Sequence, residues 1–257
     1  MNRATILGSG NAFNTDGRAH ACYLIEIAAD EHSANDAPVS RTTILLDVGA
    51  TSLYRLQQQR VDLNQIDAIL LTHFHGDHFA GLPFVLLEMA LVLRRARRLT
   101  IMGPPGVADK CAAIVNLCYP GFTFDFEISY VELETHREPY TFGAATIVPY
   151  AITHRPESTG YRIIAPNGRS FAFSGDALFD HNLCALVDGV DLALVELTMA
   201  EQWEPPVAHV ALSEVRARRS ELKAARLVFT HITDQLARTV VAEGLGEAAS
   251  DGLVLTF

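Results

Sequence analysis

The 257-residue chain has no CxxC pair, no apolar stretch long enough to span a bilayer and no low-complexity tract. Its four cysteines, Cys22, Cys111, Cys118 and Cys184, are scattered. That argues against a disulfide framework or a Cys-rich zinc site, and they read as small buried hydrophobes in a reducing compartment. Met1-Asn2-Arg3-Ala4-Thr5-Ile6-Leu7-Gly8 lacks the apolar core of a signal peptide. The expected setting is cytoplasmic, with no membrane as partner. Positive charge is also scarce: 20 Lys and Arg stand against 30 Asp and Glu, for a formal net charge of -10. Such a chain binds nucleic acid only through a localised basic patch. The one dense basic run, Arg94-Arg95-Ala96-Arg97-Arg98, reads as the solvated end of an amphipathic helix. A homodimer contact or an anionic-substrate rim is its alternative use. The 17 Gly and 11 Pro are dispersed, so one domain over residues 1–257 is expected. With 49% hydrophobic residues there is ample material for a large core.

Strands are predicted at Ala4–Leu7, Ala21–Ile27, Thr42–Leu46, Asp67–Leu71, Leu99–Met102, Phe126–Leu133, Thr146–Thr153, Gly160–Ala165, Ser170–Phe173, Leu192–Glu196, Leu227–Thr230 and Leu253–Phe257. Helices are predicted at Ser52–Gln59, Pro83–Arg94, Val107–Leu117, Phe179–Leu186, Leu212–Lys223 and Gln235–Glu243, with Ser213 as a cap. Asp30–Ser40 reads as a polar loop, and Asn167-Gly168 as a hairpin turn. Gly8-Ser9-Gly10-Asn11 reads as a loop that lets backbone approach a ligand closely. Both halves mix strands and helices, which predicts two similar αβ layers packed sheet to sheet.

Thr72-His73-Phe74-His75-Gly76-Asp77-His78 puts three imidazoles and a carboxylate at the end of a buried strand. Those are ligands for Zn²⁺, Mn²⁺ or Fe²⁺, and their desolvation needs compensation that a metal supplies. His73 and His75 are two apart, so an extended segment, not a helix, puts both on one side. Three further apolar runs end in a metal-capable side chain: Ile147–Thr153 in His154, Phe171–Ser174 in Asp176, and Leu227–Thr230 in His231. α/β architectures collect functional groups at such strand ends.

In their order and spacing, His73-Phe74-His75-Gly76-Asp77-His78, His154, Asp176 and His231 resemble the metallo-β-lactamase superfamily. The resemblance covers almost the whole chain. It implies an α/β (α+β) fold, a four-layer αββα sandwich of two mixed sheets. It also implies two divalent ions, Zn²⁺ first and Mn²⁺ or Fe²⁺ as alternatives. His73, His75 and His154 would hold one, Asp77, His78 and His231 the other, and Asp176 would bridge them. Lactam-hydrolysing members usually carry Cys where Asp176 stands. Leu7-Gly8-Ser9-Gly10, Asp47-Val48-Gly49, Phe173-Ser174-Gly175-Asp176, Glu196-Leu197-Thr198 and His209-Val210-Ala211-Leu212-Ser213 are similar to the ribonuclease Z and small-phosphodiesterase branch. That implies a catalytic His209, oriented by Glu196, as transition-state stabiliser or general acid. The long basic arm of the tRNA-processing members and the cysteine-rich zinc site of the phosphonate-breakdown phosphodiesterase are both missing. A small anionic or ester substrate is therefore expected instead of tRNA.

The implied reaction is phosphodiester hydrolysis by a metal-bridging hydroxide, with Asp77 orienting the nucleophile or taking its proton. Alternatives are hydrolysis of a carbon ester, thioester or lactone at the same site, a mononuclear iron enzyme of thiol or O₂ chemistry, and a metal-stabilised binding module. Asp47 reads either as an acceptor for a ligand imidazole or as a helix cap. Asn11, Arg18 and His20 read as structural, and His32, His136 and His181 as surface residues. Phe84, Leu86, Leu87 and Met89 read as core, and Phe79 and Leu82 as core or pocket wall.

Overall fold

The computed structural model describes residues 1–29, 41–135 and 138–257. The Asp30–Ser40 loop, His32 and His136 lie outside the described residues. Strands β1 (Arg3–Gly8), β2 (Cys22–Ala28), β3 (Arg41–Leu46), β4 (Ala68–Leu70), β5 (Leu99–Gly103), β6 (Ile128–Glu132) and β14 (Val254–Thr256) form one sheet in the order β14-β1-β2-β3-β4-β5-β6. Strands β7 (Tyr140–Phe142), β8 (Ala145–Ala151), β9 (Thr159–Ile164), β10 (Ser170–Phe173), β11 (Leu192–Glu196), β12 (Arg226–Thr230) and β13 (Glu247–Ala248) form the other in the order β13-β12-β11-β10-β9-β8-β7. Both sheets are mixed. β3 through β6 are parallel, as are β10 through β13, while the remaining pairs are antiparallel.

The strand alternation explains the layers. In β2, Tyr23 and Ile25 face the core between the sheets, while Cys22 and Leu24 face the helices outside. In β11, Leu192 and Leu194 face inward and Ala193 and Val195 face the opposite helical layer. Strands buried on both faces read as near-continuous apolar runs, and their two-residue period sorts the side chains. Helices α1 (Ser52–Gln58), α2 (Gly76–Phe79), α3 (Leu82–Leu87) and α4 (Val107–Cys118) cover the first sheet, and α5 (His181–Val187), α6 (Leu212–Arg218) and α7 (Asp234–Ala242) cover the second. The result is the expected four-layer αββα sandwich. No described helix is long and apolar enough to cross a membrane.

Two tyrosines fasten the sheets together below one edge. Tyr23 Oη of the first sheet lies 3.0 Å from Thr230 Oγ1 of the second, and Tyr161 Oη of the second donates to the Leu71 carbonyl at 2.8 Å. Both are fully buried, and both bonds end within a few residues of His231 or His73.

Several local expectations need correction. The predicted Pro83–Arg94 helix is α3 followed by a π-helical turn, Glu88–Val92. Phe84 is exposed and meets Tyr119 edge-on, whereas Leu86, Met89, Phe79 and Leu82 are buried. Helix α6 is capped at Ala211, where the Glu214 side chain accepts from the Ala211 N–H, so Ser213 lies inside the helix. Strand β7 was not predicted, its three residues being too short for a period to register. Cys22 and Cys111 are buried, but Cys118 is exposed and Cys184 half-buried. The basic run is not simply a solvated face. Arg95 turns inward and donates to the carbonyls of Leu63, Asn64, Ile66, Arg97 and Arg98, while Arg97 pairs with Asp67 and Arg98 with Glu127. A guanidinium has five donors, and here they satisfy loop carbonyls that strand and helix leave over.

Candidate metal centre

The C-terminal ends of β1, β3, β4, β11 and β12 lie along one edge of the sandwich, and the polar residues that follow them converge there. After β4 the chain stays extended through Thr72, His73 and His75, then coils into the single turn of α2, which swings Asp77 and His78 back toward His73. Asp47 and His231 follow β3 and β12 with φ of 54° each, a left-handed conformation that costs a non-glycine residue about 1–2 kcal/mol. Such outliers persist where surrounding bonds over-determine them. Gly49 is required by the crossing of these segments: a Cβ there would lie 2.0 Å from the Asp77 carbonyl oxygen and 2.4 Å from His20 Cβ. Gly8 and Gly10 serve a similar purpose, since each packs on backbone at His20 or Arg18. Their close approach is therefore to the chain itself and not to a ligand.

Two groups of donors share one carboxylate. His73, His75, His154 and Asp176 form the first, and Asp77, His78, His231 and Asp176 the second, with ligand atoms within 4.8 Å of one another in each. All nine predicted site residues come together here. His209 lies with Nδ1 2.8 Å from Glu196 Oε1 and 3.9 Å from Asp176 Oδ2, its ring stacked on His231 at 10° and 6.0 Å. Glu196 is fully buried and also accepts from the Ala177 N–H and the Thr198 hydroxyl. Asp47, also fully buried, accepts from the His78 ring at 2.7 Å and from the Thr72 N–H and hydroxyl at 2.8 Å each, so it does not cap a helix.

The orientation of each imidazole tests whether a cation fits. His78 donates Nδ1–H to Asp47, His154 donates Nδ1–H to the Ala208 carbonyl, and His231 donates Nδ1–H to Thr198. As neutral rings, they then present a lone pair at Nε2. Two of those lone pairs face carboxylate acceptors, His231 Nε2 at 3.0 Å from Asp77 Oδ2 and His78 Nε2 at 3.1 Å from Asp176 Oδ1, while His154 Nε2 lies 3.1 Å from the ring nitrogen His75 Nδ1. His73 Nε2, His78 Nε2 and Asp176 Oδ1 are buried with no hydrogen-bond partner. Acceptors aimed at acceptors in a buried place call for cations, and neutral imidazole with carboxylate suits borderline divalent ions. The donor set fits two such ions.

The electrostatics agree. Burial would raise the Asp176 carboxyl, but the imidazoles of His231, His78 and His73 outweigh it and hold the group well below the carboxylate range. Asp77 is likewise held down against burial by His231 and His78. Burial pushes His73 well below, and His154 below, the ordinary imidazole value. These four have the protonation states of ligands, ionised carboxylate and neutral ring. Burial opposes charge on His78, but Asp176, Asp47 and Asp77 outweigh it and raise that ring well above the ordinary value. His209 also goes up: burial opposes its charge, but Glu196 and Asp176 outweigh that and raise it to about 9. Neighbouring groups driven in opposite directions mark a site with separate roles for its members.

Sequence reasoning passed over three participants. Thr72 and Thr198 each stand between a buried carboxylate and a ring nitrogen. Their signal was position, immediately before His73 and two residues after Glu196. His20, read as structural, lies close enough for Asp77, His78 and His231 to act on its charge, and burial lowers its pKa.

An αββα sandwich with this donor set at its sheet edge defines the class: a metal-dependent hydrolase. Residues 42–232 match the Beta-lactamase superfamily domain, and the chain belongs to that superfamily. It is 30% identical over 250 residues to an uncharacterized protein of Mycobacterium tuberculosis, covering 95% of this chain and 86% of that one. A ribonuclease Z of Staphylococcus saprophyticus is 31% identical over 132 residues, 51% of this chain but only 42% of that enzyme. The crystal structure of a diphosphatase from the PhnP family superposes with a TM-score of 0.73 at 20% identity, over 100% of this chain and 98% of that one.

Proposed function

We propose that residues 1–257 form one domain and that it is a dinuclear metal-dependent phosphodiesterase acting on a small phosphodiester or nucleotide-like substrate. His73, His75 and His154 would hold the first ion and Asp77, His78 and His231 the second, with Asp176 shared by both donor groups. Zinc suits this nitrogen-rich set best. When bound, the two ions lower the pKa of water toward 7 and neutralise charge on a phosphoryl group.

The chain's own residues do the rest. Asp77, whose Oδ2 lies 3.0 Å from His231 Nε2, would orient the nucleophile or take its proton. His209 is raised to about 9 by Glu196 and Asp176, so it is protonated at neutral pH. That suits a general acid for the departing alkoxide, or a cation beside the developing charge. The observation that carries the reading is His209 Nδ1 held 2.8 Å from Glu196 and 3.9 Å from Asp176, the carboxylate shared by both donor groups. A carbon ester or lactone is neutral before attack, whereas a phosphodiester already carries a negative charge, so the carbon ester gives a cationic His209 less charge to neutralise. The names of the ribonuclease Z and diphosphatase relatives support phosphoryl chemistry. The acidic chain, whose basic run is spent on internal carbonyls and ion pairs, favours a small substrate over tRNA. The four free thiols fit a reducing, cytoplasmic setting.

Elemental analysis of purified protein, with turnover of bis(p-nitrophenyl) phosphate against lactone and thioester panels, tests the proposal. About two metal ions per chain and preference for the phosphodiester are expected. Preference for a lactone or thioester would replace it with carbon-ester hydrolysis, and about one iron per chain would replace it with a mononuclear centre.

A further inference from the structure

The two halves of the centre are held by the same device. In the first sheet, Asp47 accepts a hydrogen bond directly from His78 and, through the Thr72 hydroxyl, supports His73, whose Nδ1 lies 3.0 Å from Thr72 Oγ1. In the second, Glu196 accepts a hydrogen bond directly from His209 and, through the Thr198 hydroxyl, supports His231, whose Nδ1 lies 2.8 Å from Thr198 Oγ1. Each carboxylate is fully buried and stands at the C-terminal end of a strand, just after β3 or as the last residue of β11. Each thus orients two rings, one by contact and one through a threonine.

The chemistry of a hydroxyl makes this relay directional. It has one proton, and a carboxylate can only accept, so the threonine proton goes to Asp47 or Glu196. What remains toward the ring is a lone pair, so His73 and His231 must carry hydrogen on Nδ1. Their Nε2 lone pairs then point inward, His73 toward Asp176 at 3.8 Å and His231 toward Asp77 at 3.0 Å. His73 belongs only to the first donor group, and His231, among the two groups that meet at Asp176, only to the second.

We propose that Thr72 and Thr198 are paired positioning residues, each fixing the tautomer and ring orientation at one metal position and not at the other. The inference rests on the reading that these donors hold two ions, and it is independent of which substrate is cleaved. Partners of this kind typically govern metal affinity by 10- to 100-fold.

The test uses zinc alone on the full chain, with Thr72→Val and Thr198→Val, which keep shape and lose the hydroxyl, and with Thr72→Ser and Thr198→Ser. Competition against a chelator reads affinity, and imidazole nitrogen chemical shifts identify each ring's tautomer and whether its Nε2 is metal-bound. Thr72→Val is expected to weaken the position held by His73 about 10- to 100-fold and leave that of His231 near wild type. Thr198→Val is expected to do the reverse, and both serines to restore affinity and the Nδ1–H tautomer. Wild-type affinity in both valine variants, weakening of the same position by both, or serines that fail to rescue would each overturn the pairing. Wild-type protein that binds no zinc would overturn it together with the metal reading. Zinc-replete protein inactive on phosphodiesters would overturn only the proposed function.

Discussion

Glu196→Gln gives the sharpest test of the role proposed for His209. The amide keeps the shape of the carboxylate. Its oxygen can still accept from the Ala177 N–H and from His209 Nδ1, now 2.9 and 2.8 Å away. Its NH₂ can donate to Thr198, whose hydroxyl then turns to the His231 carbonyl 3.5 Å away. What disappears is the charge. In the native site Glu196, with Asp176 assisting, lifts His209 from 6.5 to about 9 against the opposing effect of burial. Without Glu196 the value falls back toward 6.5. If the imidazolium is the active form, activity is present at low pH and lost as pH rises through the pKa. The protonated fraction at pH 8 is about 90% for a pKa of 9 and about 3% for 6.5, a ratio of about 30. At pH 7 the ratio is about 4, and below pH 6 it is close to one. Bound dications lower both curves together, so the separation between them is the quantity tested. The assay is a pH profile of kcat for both proteins on a dinucleotide, whose leaving group is an alkoxide, with metal content measured in parallel. A Glu196→Gln profile that falls by the same factor at every pH, or that keeps the wild-type basic limb, would refute the acid role. Because Glu196 also holds His231 through Thr198, loss of metal in step with activity would show that the variant acts through His231 and not through the charge on His209.

Further outcomes are expected elsewhere. His209→Ala should lower kcat by about 10²- to 10⁴-fold with metal content nearly unchanged, as read by turnover and elemental analysis. Chelation should abolish activity and lower the melting temperature by about 15 °C, because two ions at 1,000 times their dissociation constants contribute about 4 kcal/mol each; an unchanged melting curve after verified metal removal would contradict the donor assignment. Arg95→Met should destabilise the fold by about 3 kcal/mol, since it orphans buried loop carbonyls, and chemical denaturation would show it. Gly49→Ala should lose activity and stability together, as its Cβ would meet the Asp77 carbonyl oxygen at 2.0 Å; a variant with wild-type kcat would show that the Asp77 turn tolerates displacement.

The strands were readable because burial on both faces leaves long apolar runs in the sequence, and Leu192–Glu196 has the predicted limits. Element ends fared less well. The π-helical turn at Glu88–Val92 carries no signal in a helical period, and the three residues of β7 are too few to show one. Arg95 shows the same limit in another form: a charge run looks solvated until a fold supplies carbonyls for one member to satisfy.

By itself the sequence determined which donors the centre has. Imidazole and carboxylate at the ends of apolar runs are legible because burying them costs energy that only a specific use repays. The choice of αββα layers was legible for a related reason, since two-residue alternation sorts side chains between an inner and an outer core. Tertiary structure alone decided what each donor does. Whether a ring offers Nδ1 or Nε2 depends on what holds its other nitrogen, and the holders Asp47, Thr72, Glu196, Thr198 and the Ala208 carbonyl come from segments far apart in the chain. The charge on His209 depends likewise on a carboxylate that sequence shows only as a glutamate at a strand end, and that the fold buries 2.8 Å away.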